Sequence, residues 1–184
     1  MSKSQISRRE FLKSSAGGMG AFGMFQSYKS DISGNPALKR VRISPRDICV
    51  VSVSKAGIDE QTPERIVERM LERLELISPY QPDIICLPEA FARPRNPAPL
   101  SQRAEEVTGP TVSAFVSFAK KQKCYIICPH HIKKGGKIYN TAVLIDREGN
   151  IAGQYDKIHP TEGECDIGIT PGKKPPPVFK TDFG

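Results

Sequence analysis

The segment "TPERIVERMLERLELI", residues 62 to 77, constrains the fold more than any other stretch of the chain. Ile66, Met70, Leu74 and Ile77 recur at helical spacing beside Val67 and Leu71. Thr62 followed by Pro63 supplies an N-cap and a first helical residue. Short runs of strand formers flank the helix, "DICVVSV" (47 to 53) and "DIIC" (83 to 86). The first, bounded by breakers, reads as a strand buried on both faces. A strand, a helix and a second strand make a unit whose strands run parallel and whose crossover is right-handed. The first folded elements therefore commit the chain to an α/β sheet.

The pattern repeats once and then changes. A second helix is expected over about Thr111 to Lys123, with Val112, Phe115, Val116 and Ala119 inward, followed by a third strand at "CYIICP" (124 to 129). After the turn "KKGGK", two strand-like runs flank Asp146 to Asn150 and read as a hairpin turning at Glu148-Gly149-Asn150. A mixed sheet follows from two parallel units and a hairpin. The proline-rich loop "RPRNPAP" (93 to 99) reads as an ordered loop beside a site, with a PxxP ligand as the alternative.

In open α/β sheets ligands gather outside the carboxyl ends of the strands. Glu89, in "DIICLPEAF", lies at such an end, after an apolar run and a proline. Position alone equally fits a surface carboxylate that caps a turn. Lys157, in "YDKIHPTEGE", ends the second hairpin strand and is followed by Glu162 and Glu164, a setting that also fits a plain salt bridge. His130 and His131 are adjacent at the end of the expected third strand, so their side chains point to opposite faces and do not chelate together easily. His159, beside Lys157, is expected to shape its loop.

The net charge of +7 does not point to a nucleic-acid partner once its distribution is followed. Lys3, Arg8, Arg9, Lys13 and Lys29 against Glu10 place +4 in the first 30 residues and leave +3 for the other 154. No basic helix, zinc-ligand spacing or aromatic-basic motif replaces that support. Residues 1–30 have the layout of an export signal, with paired arginines before a weakly apolar stretch rich in Gly, Ala, Met and Phe. The run "SRREFLK", Ser7 to Lys13, resembles the twin-arginine translocation motif, which implies the translocase as a partner and the periplasm or cell exterior as destination. The stretch from Ser14 to Phe25 falls well short of the ~20 apolar residues of a membrane span. Residues 31–45 read as a linker and 46–184 as the folded domain. Five cysteines, Cys49, Cys86, Cys124, Cys128 and Cys165, form no CxxC pair, and four sit in apolar runs, as small buried hydrophobes do.

"DIICLPEAF" followed by "YNTAVLIDREGNIAGQYDKIHPTEGE" resembles the carbon-nitrogen hydrolase family, also called the nitrilase superfamily, over about Arg46 to Gly184. The resemblance implies a four-layer α-β-β-α sandwich, here ending after its first strands. It implies Glu89 as general base, Lys157 as stabiliser of the tetrahedral intermediate, and Glu164, or else Glu162, as a second glutamate that positions substrate or nucleophile. The substrate implied is a small amide, carbamoyl or nitrile compound; no metal or organic cofactor is needed, and the full-length family member commonly forms a homo-oligomer.

The family's third catalytic residue is a cysteine at the end of the next strand, which should begin just after "KTDFG", where this sequence stops. The expectation is an N-terminal portion of a longer protein, inactive alone. Residues 46–184 expressed by themselves should aggregate or remain partly folded, since sheet edges and one apolar face would be open. Two other readings remain. A metal-dependent phosphoesterase of the endonuclease/exonuclease type carries a similar strand whose glutamate binds magnesium, but an early Asn is absent from "VVSVSKAG". A non-catalytic protein would use Glu89, Lys157 and Glu164 as a buried ion network.

Overall fold

A computed structural model describes residues 47–184. The export-signal and linker readings, residues 1–30 and 31–45, lie outside the described residues. Strand β1 is Val50–Ser52, helix α1 is Pro63–Ile77, and β2 is Ile84–Cys86. The short α2, Leu100–Arg103, precedes α3, Pro110–Gln122. Strands β3 (Tyr125–Lys134), β4 (Lys137–Ile145) and β5 (Ile151–Asp156) follow, then the one-turn helix α4, Glu162–Asp166. The sheet order is β1-β2-β3-β4-β5. The first three strands pair parallel and the last three antiparallel, so the sheet is mixed, as the sequence predicts.

Helix α1 forms where its signals place it. The Thr62 side chain accepts from the Arg65 N–H (3.3 Å), and Ile66, Val67, Met70 and Leu74 are buried. Helix α3 buries Val112, Phe115, Phe118 and Ala119 and ends at Lys123 in a left-handed conformation. Two crossovers of one hand, advancing in one direction along the sheet, put both helices on the same face. Both accordingly share one core with Ile85, Ile126, Cys128, Val143 and Ile145. The described residues thus supply one helix layer and one sheet.

Two expectations change, and the "KKGGK" turn holds. Among the described residues strand β1 is not buried on both faces: Val50 is 69% exposed, because the helices cover one face of the sheet only. The third strand is ten residues long rather than six, and carries the histidine pair in its interior. Gly135 and Gly136, both at positive φ (53° and 76°), close a two-residue turn that pairs Lys134 with Lys137, so "KKGGK" joins β3 to β4 as a tight hairpin. Cys49 and Cys124 lie just before their strands, and Cys165 lies in α4.

Asp83 and Arg147 tie the amino ends of the parallel strands to the second hairpin. Asp83 accepts from the Cys49 N–H (2.9 Å) and from Arg147 Nη2 (2.7 Å), while its carbonyl accepts from the Tyr125 N–H (2.8 Å). The hairpin turn sits where expected, with Asp146 Oδ1 accepting from the Glu148 and Asn150 N–H groups (2.9 and 2.8 Å). Reversal at each of two hairpins returns β5 to the direction of β3. The carboxyl ends of β1, β2, β3 and β5 therefore share one edge of the sheet.

Candidate active site

The site is built at that edge. Leu87 and Phe91 are buried, 2% and 0% exposed, and bracket Pro88, Glu89 and Ala90. Pro88 ends the strand, and Ala90 adopts φ +47°, a left-handed turn that alanine seldom takes. Two apolar anchors and one reversal push the Glu89 side chain outward, where it is 61% exposed. Phe91 meets Phe115 of α3 edge to face at 5.3 Å between centroids, so the helix layer holds the loop.

Lys157 follows β5, with its N–H donating to the Asn140 carbonyl (2.9 Å). Its Nζ donates to Glu89 Oε1 (2.9 Å) and to Glu164 Oε2 (2.8 Å). The structure brings together all three residues singled out by the sequence. Between the two glutamates after Lys157 the local helix decides. Thr161 and Glu164 form a reciprocal capping box at the start of α4, with the Thr161 N–H donating to Glu164 Oε2 (2.8 Å), which turns Glu164 toward Lys157. Glu162 is exposed and has no ion pair among the described residues.

Asn140 is the site residue that sequence reasoning misses. It lies inside β4, 6% exposed, and its Nδ2 donates to Glu89 Oε1 (2.7 Å) and to Glu164 Oε1 (2.8 Å). The available signal was a buried amide in a strand, a residue type that strands disfavour.

The charges differ in how firmly they are held. Partial burial would raise Glu164, but donors from Lys157, Thr161 and Asn140 pull its carboxyl down to about 2. Glu164 is therefore a fixed negative charge at any physiological pH. The hydrogen bond from Lys157, then that from Asn140, lowers Glu89 below the usual carboxylate range. Hydrogen bonds to Glu164 and Glu89 raise Lys157, which stays an ammonium. Of the two carboxylates, Glu89 is the one with an open flank. Both of its donors use Oε1, and among the described residues Oε2 receives none.

Behind this trio lies a second polar layer. His131 pairs with Asn140 across β3 and β4, and its Nδ1 takes a hydrogen from Arg103 Nη1 at 2.7 Å. A guanidinium only donates, so His131 carries its own proton on Nε2. Burial, then the nearby Arg103 charge, lowers His131 to about 4, leaving it neutral at pH 7. His130 has Nε2 at 3.4 Å from Glu105 Oε1, with its ring centroid 6.3 Å from that of His131. Glu105 also accepts from the Thr111 N–H (2.9 Å) and hydroxyl (2.6 Å) at the start of α3. The histidines thus have separate partners, and among the described residues no cluster of three or more His, Cys, Asp or Glu could hold a metal ion. A cavity of about 10 Å³, the size of one water, lies between Arg93, Arg103, the two histidines and Ala90. The proline-rich loop is docked, with Arg95 paired to Asp59 (2.7 Å) and Leu100 buried.

The carbon-nitrogen hydrolase family model matches residues 51–184. Among curated proteins the chain is 32% identical over 149 residues to a probable hydrolase, YhcX, of Bacillus subtilis, covering 76% of this chain and 28% of that protein. It is 29% identical over 160 residues to a beta-ureidopropionase of Arabidopsis thaliana, covering 82% of this chain and 38% of the relative. The chain spans about a third of the length of these relatives. Among solved structures it resembles a carbon-nitrogen hydrolase from Helicobacter pylori (TM-score 0.61, 23% identity, 74% of this chain and 49% of that one). It also resembles an amidase from Nesterenkonia sp. (TM-score 0.60, 17% identity, 76% and 53%). At these identities the structures speak to the fold.

Proposed function

The chain belongs to the carbon-nitrogen hydrolase family, and we propose that it is the N-terminal portion of an exported enzyme that cleaves an amide, carbamoyl or nitrile carbon–nitrogen bond through glutamate, lysine and cysteine. The observation that carries the reading is Lys157 Nζ shared between Glu89 Oε1 at 2.9 Å and Glu164 Oε2 at 2.8 Å, beside an open Glu89 Oε2. The beta-ureidopropionase relative favours carbamoyl compounds among the substrates.

The nucleophile in this proposal is a cysteine from chain beyond Gly184. The thiols within the described residues support that assignment by their unsuitability. Burial pushes Cys124 up to about 11 and raises Cys86 and Cys128, which keeps these thiols protonated and inert. Cys49 and Cys165 make no hydrogen bond to Glu89, Lys157 or Glu164 among the described residues.

In the proposed reaction, Glu89 Oε2 takes the thiol proton as sulfur attacks the substrate carbon. A thiol ordinarily titrates near ~8.5, so transfer to a carboxylate is uphill, and the fixed Lys157 charge favours the thiolate that results. The same ammonium stabilises the oxygen that becomes negative in the tetrahedral intermediate of an amide or carbamoyl substrate, or the nitrogen that becomes negative when sulfur adds to a nitrile. With an amide or carbamoyl substrate the carbon–nitrogen bond then breaks, protonated Glu89 returns its proton to the leaving amine, and a thioester or thiocarbamate remains; with a nitrile that proton goes to the nitrogen to give a thioimidate, which takes up one water before ammonia leaves and the thioester forms. Water attacks the thioester or thiocarbamate, giving one proton to Glu89, and the thiol is regenerated with it. Glu164 holds Lys157 in place without exchanging protons. The phosphoesterase alternative asks Glu89 to bind a divalent cation, and the adjacent ammonium opposes that charge.

The full-length protein tests the reading by release of ammonia or amine from a panel of amides, N-carbamoyl compounds and nitriles, with a trapped acyl group located by mass spectrometry. Glu89→Gln and Lys157→Met should each lower kcat by roughly 10²-fold or more. Normal turnover by Glu89→Gln would remove Glu89 from the mechanism. We place the working enzyme outside the cytoplasm, delivered by the twin-arginine translocase, as a homo-oligomer. Replacing Arg8 and Arg9 by lysines should retain the protein inside; undiminished export would refute the signal reading.

A further inference from the structure

We infer that Asn140 is a positioning residue that selects which oxygen of Glu89 takes the proton and couples Glu89 to Glu164; the inference rests on the reading of Glu89 as general base. Three charged groups meet at the site from three separate pieces of chain: the loop after β2, the residue after β5, and α4. Among the described residues Asn140 alone is hydrogen-bonded to all three residues, through its side chain to the two carboxylates and through its main-chain carbonyl to the Lys157 backbone. Its Nδ2 donates to both carboxylates, at 2.7 and 2.8 Å, and its carbonyl receives the Lys157 N–H at 2.9 Å. It is also the member carried on an interior strand, with β3 on one side and β5 on the other.

The residue type suits the task. A carboxylate 61% exposed on a loop would exchange among rotamers, and fixing it costs entropy. Lys157 and Asn140 donate to the same oxygen, Oε1, so two bonds hold the side chain in one orientation. That oxygen has shared its electron density with two donors, and the proton goes to Oε2. A cation in place of Asn140 would weaken Glu89 further as a base, and a third carboxylate would repel the two present. A neutral NH2 group holds both without altering the charge of the site. Burial at 6% exposure makes the arrangement obligatory, because an amide removed from water must find partners.

The test uses the full-length protein. Asn140→Ala and the isosteric Asn140→Asp are measured for kcat/KM against pH, with thermal melting as a check on folding. Loss of the donor should lower kcat/KM roughly 10- to 100-fold. It should also shift the acid limb to higher pH, further for Asn140→Asp, because Glu89 is no longer held down. A residue that only filled space would lower the melting temperature and leave the acid limb in place, and that outcome overturns the inference. A second measurement needs no variant. The side-chain ¹⁵N resonance of Asn140 in the wild type should follow the titration of both Glu89 and Glu164; a resonance following neither also overturns it. An inactive wild type whose Asn140 resonance follows both carboxylates would refute the hydrolase reading and leave the coupling intact.

Discussion

Replacing Phe91 by leucine separates the anchoring of Glu89 from the stability of the core. Phe91 is fully buried two residues after Glu89 and packs edge to face on Phe115. That aromatic pair contributes roughly 0.5–1.5 kcal/mol beyond burial. A change of apolar shape costs up to about 1.5 kcal/mol more, so Phe91→Leu should lose about 0.5–3 kcal/mol. The control is Leu74→Ala in the last turn of α1, equally buried in the same core, at a cost of about 2–5 kcal/mol. The control destabilises as much or more, yet it lies on a separate element, 15 residues before Glu89 in the chain. Urea unfolding of the full-length protein gives the two stabilities, and kcat/KM under conditions where each variant is folded gives the catalytic cost. A displacement of about 1 Å at a reacting group lowers rate by roughly 100-fold, so Phe91→Leu should lose 10- to 100-fold and Leu74→Ala less than about 2-fold. Equal activity in the two variants would show that the core does not aim Glu89 through Phe91.

Other consequences are open to simpler measurement. The folded carboxyl of Glu164 titrates at about 2 against an ordinary 4.5, so it adds stability above pH 4.5 that is lost as pH falls toward 2. The melting temperatures of wild type and Glu164→Gln should therefore converge over that window, and a constant difference would refute the assignment. Ala90→Gly removes the left-handed strain at φ +47°, roughly 1–2 kcal/mol, but adds chain entropy of similar size. Its stability should change by less than about 1 kcal/mol while kcat falls as the Glu89 loop loosens, both readable from melting and steady-state kinetics. A methyl group on Gly153 would overlap the Phe179 ring, so Gly153→Ala should free the segment around Phe179 to limited proteolysis without unfolding the sheet.

Much of this architecture was legible because it depends on neighbours in the chain. The 3.6-residue period of α1, its Thr62 cap and the Asp146 turn are local properties, and each formed where the sequence indicated. The sequence predicts β1 buried on both faces and the structure covers one, because an apolar run does not reveal how many faces of its sheet are covered. Strand β3 runs past its expected end because "HHIKK" lacks the apolar character by which a strand is recognised, and its pairing with β4 supplies what its composition does not.

The sequence by itself determined the order of elements, the mixed sheet, and the delivery of Glu89 and Lys157 to strand ends. Tertiary structure decided which charges meet. It chose Glu164 over Glu162 through the α4 capping box, and it brought Asn140 between two carboxylates. The reason is distance along the chain. Glu89 finds Asn140 and Lys157 at separations of 51 and 68 residues, and only the closure of the sheet turns those separations into hydrogen bonds of 2.7 and 2.9 Å.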